Sequence, residues 1–189
     1  MTQGDKEELH MHFVCTREEA EGMIEVRDRF WVSDCGCRVG KGHCERSRTD
    51  VCLGFREDYT STDSGRREIT RAEVAELLAL AREKHLVTRP FRDEEMSGPG
   101  GICFCCDDCC GYFQTDADSG EPVYVCDKGA LREQTDMDSC TQCGDCADVC
   151  YFGARKMHED ELTIDREKCY GCGLCRDVCG PGCIEMVGR

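Results

Sequence analysis

Two stretches in the first half of the chain place apolar residues at helical spacing, each behind a Thr-x-x-Glu sequence. Thr16 opens the first stretch and Thr70 opens the second, and this capping box satisfies the free amides at a helix start. The two series are Ala20, Met23, Ile24, Arg27 and Trp31, and then Val74, Leu77, Leu78, Ala81 and Leu86. We therefore predict two core-facing helices. Pro90 ends the second helical region, and a polar, glycine-rich connection follows over 93–101.

The last sixty residues have a different pattern, with short apolar runs separated by turn residues. Strands are predicted over 130–136, 154–157, 162–165 and 183–187, and single helical turns over 147–151 and 176–179. The whole chain therefore belongs to the α+β class. We expect a small, mainly helical domain over 1–110, a linker over 111–129 and a duplicated strand-and-turn domain over 130–189.

Two identical runs of cysteine lie in this last domain, each with the spacing C-x2-C-x2-C-x3-C. The runs are Cys140, Cys143, Cys146 and Cys150, and then Cys169, Cys172, Cys175 and Cys179. Three closely spaced thiolates can wrap one iron–sulfur cluster, while the x3 step directs the fourth towards a second cluster. Zinc more often takes two separated cysteine pairs, and a disulfide framework belongs with a secretory signal. The spacing therefore favours two clusters.

The repeated run resembles a bacterial two-[4Fe-4S] ferredoxin domain, and the resemblance covers about a third of the chain. It implies one cluster held by Cys140, Cys143, Cys146 and Cys179, and a second held by Cys169, Cys172, Cys175 and Cys150. The chain departs from the family where proline usually follows the fourth cysteine: Tyr151 stands in one place, and Pro181 comes one residue late in the other. Neither change removes a ligand.

Nine more cysteines lie upstream and predict a further metal site. They are Cys35, Cys37, Cys44 and Cys52, and then Cys103, Cys105, Cys106, Cys109 and Cys110. Cys103, Cys106 and Cys109 repeat the C-x2-C-x2-C spacing, while the first four can also form a site alone. Crowded thiolates repel one another and oxidise readily, so a metal explains them better than nine free thiols. We expect at least one further iron–sulfur cluster, with zinc as the alternative.

Composition and charge narrow the class of protein. Twenty cysteines among 189 residues, without a basic segment and an apolar segment at the N-terminus, indicate metal binding in a reducing, cytoplasmic location. The formal net charge of −15 disfavours nucleic acid and favours redox partner proteins with basic docking surfaces. No apolar run is long enough for membrane insertion.

These observations support electron transfer, by a subunit or adaptor of an anaerobic redox system rather than by a stand-alone enzyme. The odd number of upstream cysteines favours an alternative, an iron–sulfur oxidoreductase whose N-terminal thiols form a catalytic thiol–disulfide site. A third hypothesis is a ferredoxin fused to a zinc-binding interaction module. Neither G-x-G-x-x-G nor G-x4-G-K-[ST] occurs, so no familiar nucleotide-binding loop is present.

Overall fold

A computed structural model describes residues 10–120 and 123–189. The two predicted capping boxes are confirmed: each threonine accepts a hydrogen bond from the amide three residues on, and each glutamate accepts one from the threonine amide. They begin helices α1 (Arg17–Glu25) and α3 (Arg71–Glu83), and a short helix α2 (Gly36–Lys41) lies between them. The N-terminal segment that lacks the features of a secretory signal lies mostly outside the described ranges, which begin at residue 10.

The expectation of a mainly helical N-terminal domain is wrong, because its centre is a five-stranded antiparallel sheet. The strands are β1 (Phe30–Ser33), β2 (Cys52–Gly54), β3 (Arg67–Ile69), β4 (Val87–Arg92) and β5 (Pro99–Cys105), in the order β3-β1-β2-β5-β4. Trp31 lies in β1, not in α1. All four β1 residues are buried, and a short, fully buried strand shows no alternation that separates it from a helix.

Two more boundaries differ from prediction. Helix α3 ends at Glu83, and Pro90 lies inside β4. This strand is at the sheet edge, where a residue without an amide proton costs no ladder hydrogen bond. The carbonyl of Pro90 accepts a hydrogen bond from the amide of Phe13 at 3.1 Å. The predicted connection over 93–101 is shorter than expected, because β5 begins at Pro99.

The two faces of the sheet carry different side chains. Leu53, Ile102 and Phe104 pack with the apolar residues of α1 and α3 in one buried cluster. The register pairs Cys52 of β2 with Cys103 of β5, and Cys103 with Arg89 of β4. Because successive strand residues point to opposite faces, these three side chains lie on the face away from the helices.

The C-terminal part has two small antiparallel pairs of strands. Strands β6 (Leu131–Thr135) and β9 (Ile184–Gly188) form one pair, and β7 (Arg155–His158) and β8 (Glu161–Ile164) form the other. All four lie within two residues of their predicted bounds. Helices α4 (Asp145–Asp148) and α5 (Leu174–Asp177) begin two residues earlier than predicted, directly after left-handed Gly144 and Gly173.

The N-terminal sheet and the C-terminal part are in contact. Arg17 forms an ion pair with Asp177 at 2.6 Å, and Arg176 pairs with Glu18 at 2.5 Å. Residues 111–129, predicted as a linker, contribute Phe113, whose ring lies 5.0 Å from that of Phe152. No helix in the described ranges has the length and apolar character that crossing a bilayer requires.

Candidate metal centres

The C-terminal loops form two cavities, each lined by four of the predicted cysteines. Cys150, Cys169, Cys172 and Cys175 line one cavity. Cys140, Cys143, Cys146 and Cys179 line the other, together with Cys183. In each cavity the fourth cysteine comes from the opposite repeat, which is the exchange that the resemblance implies. The side chains available in each place are therefore the thiolates that a [4Fe-4S] cluster binds.

Glycine allows the loop that carries Cys169, Cys172 and Cys175 to run close to strand β6. Gly171 has φ +81°, and a Cβ atom there would lie 2.1 Å from the carbonyl oxygen of Leu131. A side chain at this position would therefore collide with β6 and disfavour the loop conformation. Burial raises the pKa of Cys172 above that of an ordinary thiol, so metal binding at this cavity has to displace a proton.

A buried polar network separates the two cavities. Arg155 donates from Nη1 to Sγ of Cys146 at 3.2 Å, and from Nη2 to Glu133 and Thr135. Glu133 also pairs with Arg166 at 2.9 Å. Burial opposes the charge of Arg155, but Cys175, Glu133 and Cys146 together raise its pKa. The guanidinium is thus a fixed positive charge beside sulfurs of both cavities.

One family comparison bears on this region. A family model described as a 4Fe-4S dicluster domain matches residues 139–183, about a quarter of the chain. No curated protein matches the chain. The C-terminal part is therefore an iron–sulfur domain of the ferredoxin type, and the chain carries iron–sulfur electron-transfer chemistry.

The nine upstream cysteines separate into two groups. Six form a continuous row in which each thiol shifts the pKa of the next, and which we call the thiol row: Cys35, Cys37, Cys110, Cys105, Cys103 and Cys52. The other three, which we call the thiol triad, are Cys44, Cys106 and Cys109, with all sulfurs within 4.8 Å of one another. Cys103, which the sequence groups with Cys106 and Cys109, therefore lies in the thiol row. Cys44, which the sequence groups with Cys35, Cys37 and Cys52, lies in the thiol triad.

Arg89 lies fully buried against the thiol row. Its Nη1 donates to Sγ of Cys105 and of Cys110, both at 3.4 Å, and its guanidinium carbon stands 3.2 Å from the centre of the Tyr112 ring. Its Nε and Nη2 have no hydrogen-bond partner among the described residues. Hydrogen bonds from Cys103 and Cys110, aided by the Arg89 charge, hold the pKa of Cys105 well below its usual range.

His12 adds a third unpartnered nitrogen beside the row. Its Nδ1 is buried without a hydrogen-bond partner in the described chain. Burial, with the nearby charge of Arg89, lowers the pKa of His12 to about 4, so the imidazole is neutral near pH 7. Its ring meets that of Tyr112 edge-on at 5.3 Å. The middle of the row therefore borders buried nitrogens that have no hydrogen-bond partner in the described part of the protein.

Sequence reasoning did not single out the buried arginines. Arg38, Arg89 and Arg155 are each at most 2% exposed, and each donates to a cysteine sulfur. A usable signal was present at Arg89, which interrupts the apolar run that becomes β4. A charged residue within a buried strand requires a compensating partner, and here the partners are sulfurs.

Proposed function

We propose that the chain transfers electrons through two [4Fe-4S] clusters and a third iron–sulfur cluster. The first is held by Cys140, Cys143, Cys146 and Cys179, and the second by Cys169, Cys172, Cys175 and Cys150. The thiol row supplies the ligands of the third. Such clusters, when bound, accept and donate single electrons. The protein residues hold the metal, exclude water and set the surrounding charge.

The observation that carries this proposal is one buried cluster of side chains that runs from the thiol row to the second site. It contains Cys105 and Cys110 at one end, and Cys172 packs at the other. Between them the ring of Phe113 lies 5.0 Å from Phe152, which stacks on Tyr170 at 4.2 Å. Both Phe152 and Tyr170 line the cavity of the second site, which holds Cys169, Cys172, Cys175 and Cys150. A third cluster on the row would thus adjoin the second without intervening water.

The order of sites supports an adaptor with two ends. Cys143 is exposed, so the first site lies nearest to solvent on the ferredoxin side. The thiol row lies at the other end of the series. We propose that a redox partner with a basic docking surface meets the acidic chain at the ferredoxin end, and that a second partner exchanges electrons at the N-terminal end.

The test is an iron and sulfide count on the anaerobically purified full chain, with Cys105→Ser and the control Cys15→Ser. Cys15 is also buried but belongs to neither cysteine group. We expect about twelve irons in the natural chain and in the control if the third cluster is a cubane, and about eight in Cys105→Ser. About eight irons in all three proteins would rule out the third cluster while leaving the ferredoxin sites intact.

A second candidate function is disulfide reduction at the thiol row. Cys37 lines an open cleft together with His12 and Tyr112, and six thiols exceed the four ligands of one cubane by two. Two electrons from the clusters and two protons from solvent would convert a substrate disulfide to two thiols. Cys37→Ser should then abolish reduction of a small disulfide by the dye-reduced protein. If Cys37→Ser reduces the disulfide at an unchanged rate, disulfide reduction at the thiol row is ruled out and electron transfer remains the only proposed function.

A further inference from the structure

The thiol triad differs in geometry from both ferredoxin sites. Sγ of Cys106 lies 3.6 Å from Sγ of Cys44 and 3.5 Å from Sγ of Cys109. Within the described residues, no three cysteine sulfurs of either ferredoxin site come within 4.8 Å of one another. The triad is therefore more tightly gathered than the cysteines of either cluster site.

This spacing fits a single metal ion. Ligands at about 2.3 Å around one tetrahedral zinc ion lie roughly 3.8 Å from each other. The four cysteines of a cubane bind four different irons at the corners of a cube, so their sulfurs are held much farther apart. The triad distances agree with the first arrangement and are too short for the second.

The surrounding charge fits the same ion. Arg38 is 1% exposed and donates to the carbonyl oxygens of Arg48 at 2.6 Å and Phe104 at 3.1 Å, and to Sγ of Cys106 at 3.8 Å. Arg38 forms no ion pair with a carboxylate in the described chain. Three thiolates around a divalent ion carry a net charge of −1, and one guanidinium neutralises it. A buried charge requires such compensation.

We propose that Cys44, Cys106 and Cys109 bind one zinc ion, separate from the iron–sulfur clusters. No fourth cysteine sulfur joins this group among the described residues, so the fourth ligand would be an oxygen or nitrogen atom. Zinc suits three thiolates and a lighter fourth ligand, whereas closed sulfur-only sites need a fourth cysteine.

The ion would fix the loop after α2 onto the turn after β5. The same two segments are joined by ion pairs of Lys41 with Asp108 at 2.5 Å and of Arg46 with Asp107 at 2.9 Å. The turn carries Cys105 and Cys110 on either side of the triad cysteines, and both belong to the thiol row. The zinc site would therefore hold the ligands of the proposed third cluster in place.

The experiment measures zinc and iron per chain, by mass spectrometry of the metals, in the natural protein, Cys44→Ser and the control Cys15→Ser. We expect about one zinc in the natural protein and in the control. Cys44→Ser should lose most of the zinc and keep at least the iron of the two ferredoxin sites, about eight per chain. Absence of zinc from the natural protein, together with loss of about four irons from Cys44→Ser, would place a cubane at the triad and overturn the proposal. Full retention of zinc in Cys44→Ser would overturn it as well.

A second measurement does not depend on the variant folding. X-ray absorption at the zinc edge of the natural protein should show three sulfurs at about 2.3 Å and one lighter ligand. Absence of zinc, or zinc with oxygen and nitrogen ligands only, would overturn the proposal. The zinc readout is independent of the iron count, so failure of the third cluster and failure of this site are distinguishable.

Discussion

The arginine between the two ferredoxin cavities should set the reduction potentials of both clusters. Arg155 is buried and touches Cys146 of the first site, and Cys175 of the second contributes to its pKa. Reduction adds one negative charge to a cluster, and a nearby cation stabilises the reduced state. Replacing Arg155 with Met removes that cation. Both potentials should therefore become more negative.

The size of the shift follows from the distance. Nη1 of Arg155 lies 3.2 Å from Sγ of Cys146. The added electron is spread over the cluster beyond that sulfur, so about 6 Å is a reasonable separation of the charges, and at an effective dielectric constant of about 20 the interaction is about 3 kcal/mol. For a one-electron couple this corresponds to roughly 120 mV. Arg166 still pairs with Glu133 in the variant, which limits the additional repulsion from that carboxylate.

The assay is a redox titration of the anaerobic protein followed by electron paramagnetic resonance. Arg132→Met is the matched control, because Arg132 is exposed and adjoins Glu133 on β6. Solvent screens the charge of Arg132, so the reduction potentials of Arg132→Met should differ from those of the natural protein by no more than about 20 mV. Glu133→Gln should shift both reduction potentials in the positive direction. Arg155→Lys keeps a positive charge, so its potentials should lie much closer to those of the natural protein than the potentials of Arg155→Met do. Equal shifts in Arg155→Met and Arg132→Met would refute the reasoning.

Three further predictions concern stability. Thr70→Ala removes a capping box and should lower the free energy of unfolding by about 1 kcal/mol in a denaturant titration. Asp177→Asn leaves buried Arg17 without its ionised partner and should lower the free energy of unfolding by about 3 kcal/mol, which a lower thermal midpoint would show. An unchanged midpoint would show that this ion pair between the two parts adds no stability. Gly171→Ala should reduce the iron content because its Cβ would collide with a backbone oxygen, whereas Gly22→Ala, with open space around it, should retain full iron and gain about 0.5–1 kcal/mol.

The C-terminal domain over 130–189 could be predicted closely because its signals are local. The repeated cysteine spacing and short apolar runs predicted all four strands of that domain to within two residues. The helical turns were predicted two residues late, since the left-handed glycines Gly144 and Gly173 start them earlier. Local turn chemistry therefore explains both the success and the displacement.

The N-terminal sheet could not be predicted in the same way. Its strands β2 and β3 have three residues each, too few to show a period, and their partners lie far away in the sequence. One face of the sheet carries cysteines and the other carries apolar residues. A hydropathy scale counts cysteine as apolar, so it does not show the alternation between the two faces. The alternation of Cys103, Phe104 and Cys105 in β5 becomes meaningful only once the faces are known.

The same alternation explains why the structure separates the three thiols of the C-x2-C-x2-C spacing at the second cysteine group. Cys103 lies inside β5 and is paired with Cys52 across the sheet, whereas Cys106 and Cys109 lie in the turn that follows. A loop that wraps a cluster requires all three thiols on one turn. Here the strand ends between them, so the same spacing divides its thiols between the row and the triad.

Buried arginines connect these sites to folding. Arg38 and Arg89 are almost fully buried, and neither forms an ion pair with a carboxylate in the described chain, while each donates to sulfur. A protonated thiol does not offset a buried guanidinium, whose desolvation costs several kcal/mol. Thiolates bound to metal do, because they stay ionised. Cys105, whose pKa is held well below its usual range, already compensates part of the Arg89 charge. If the thiol row and the thiol triad bind metal as we propose, ionised sulfur would compensate both arginines, and we then expect metal binding and folding of this region to be coupled.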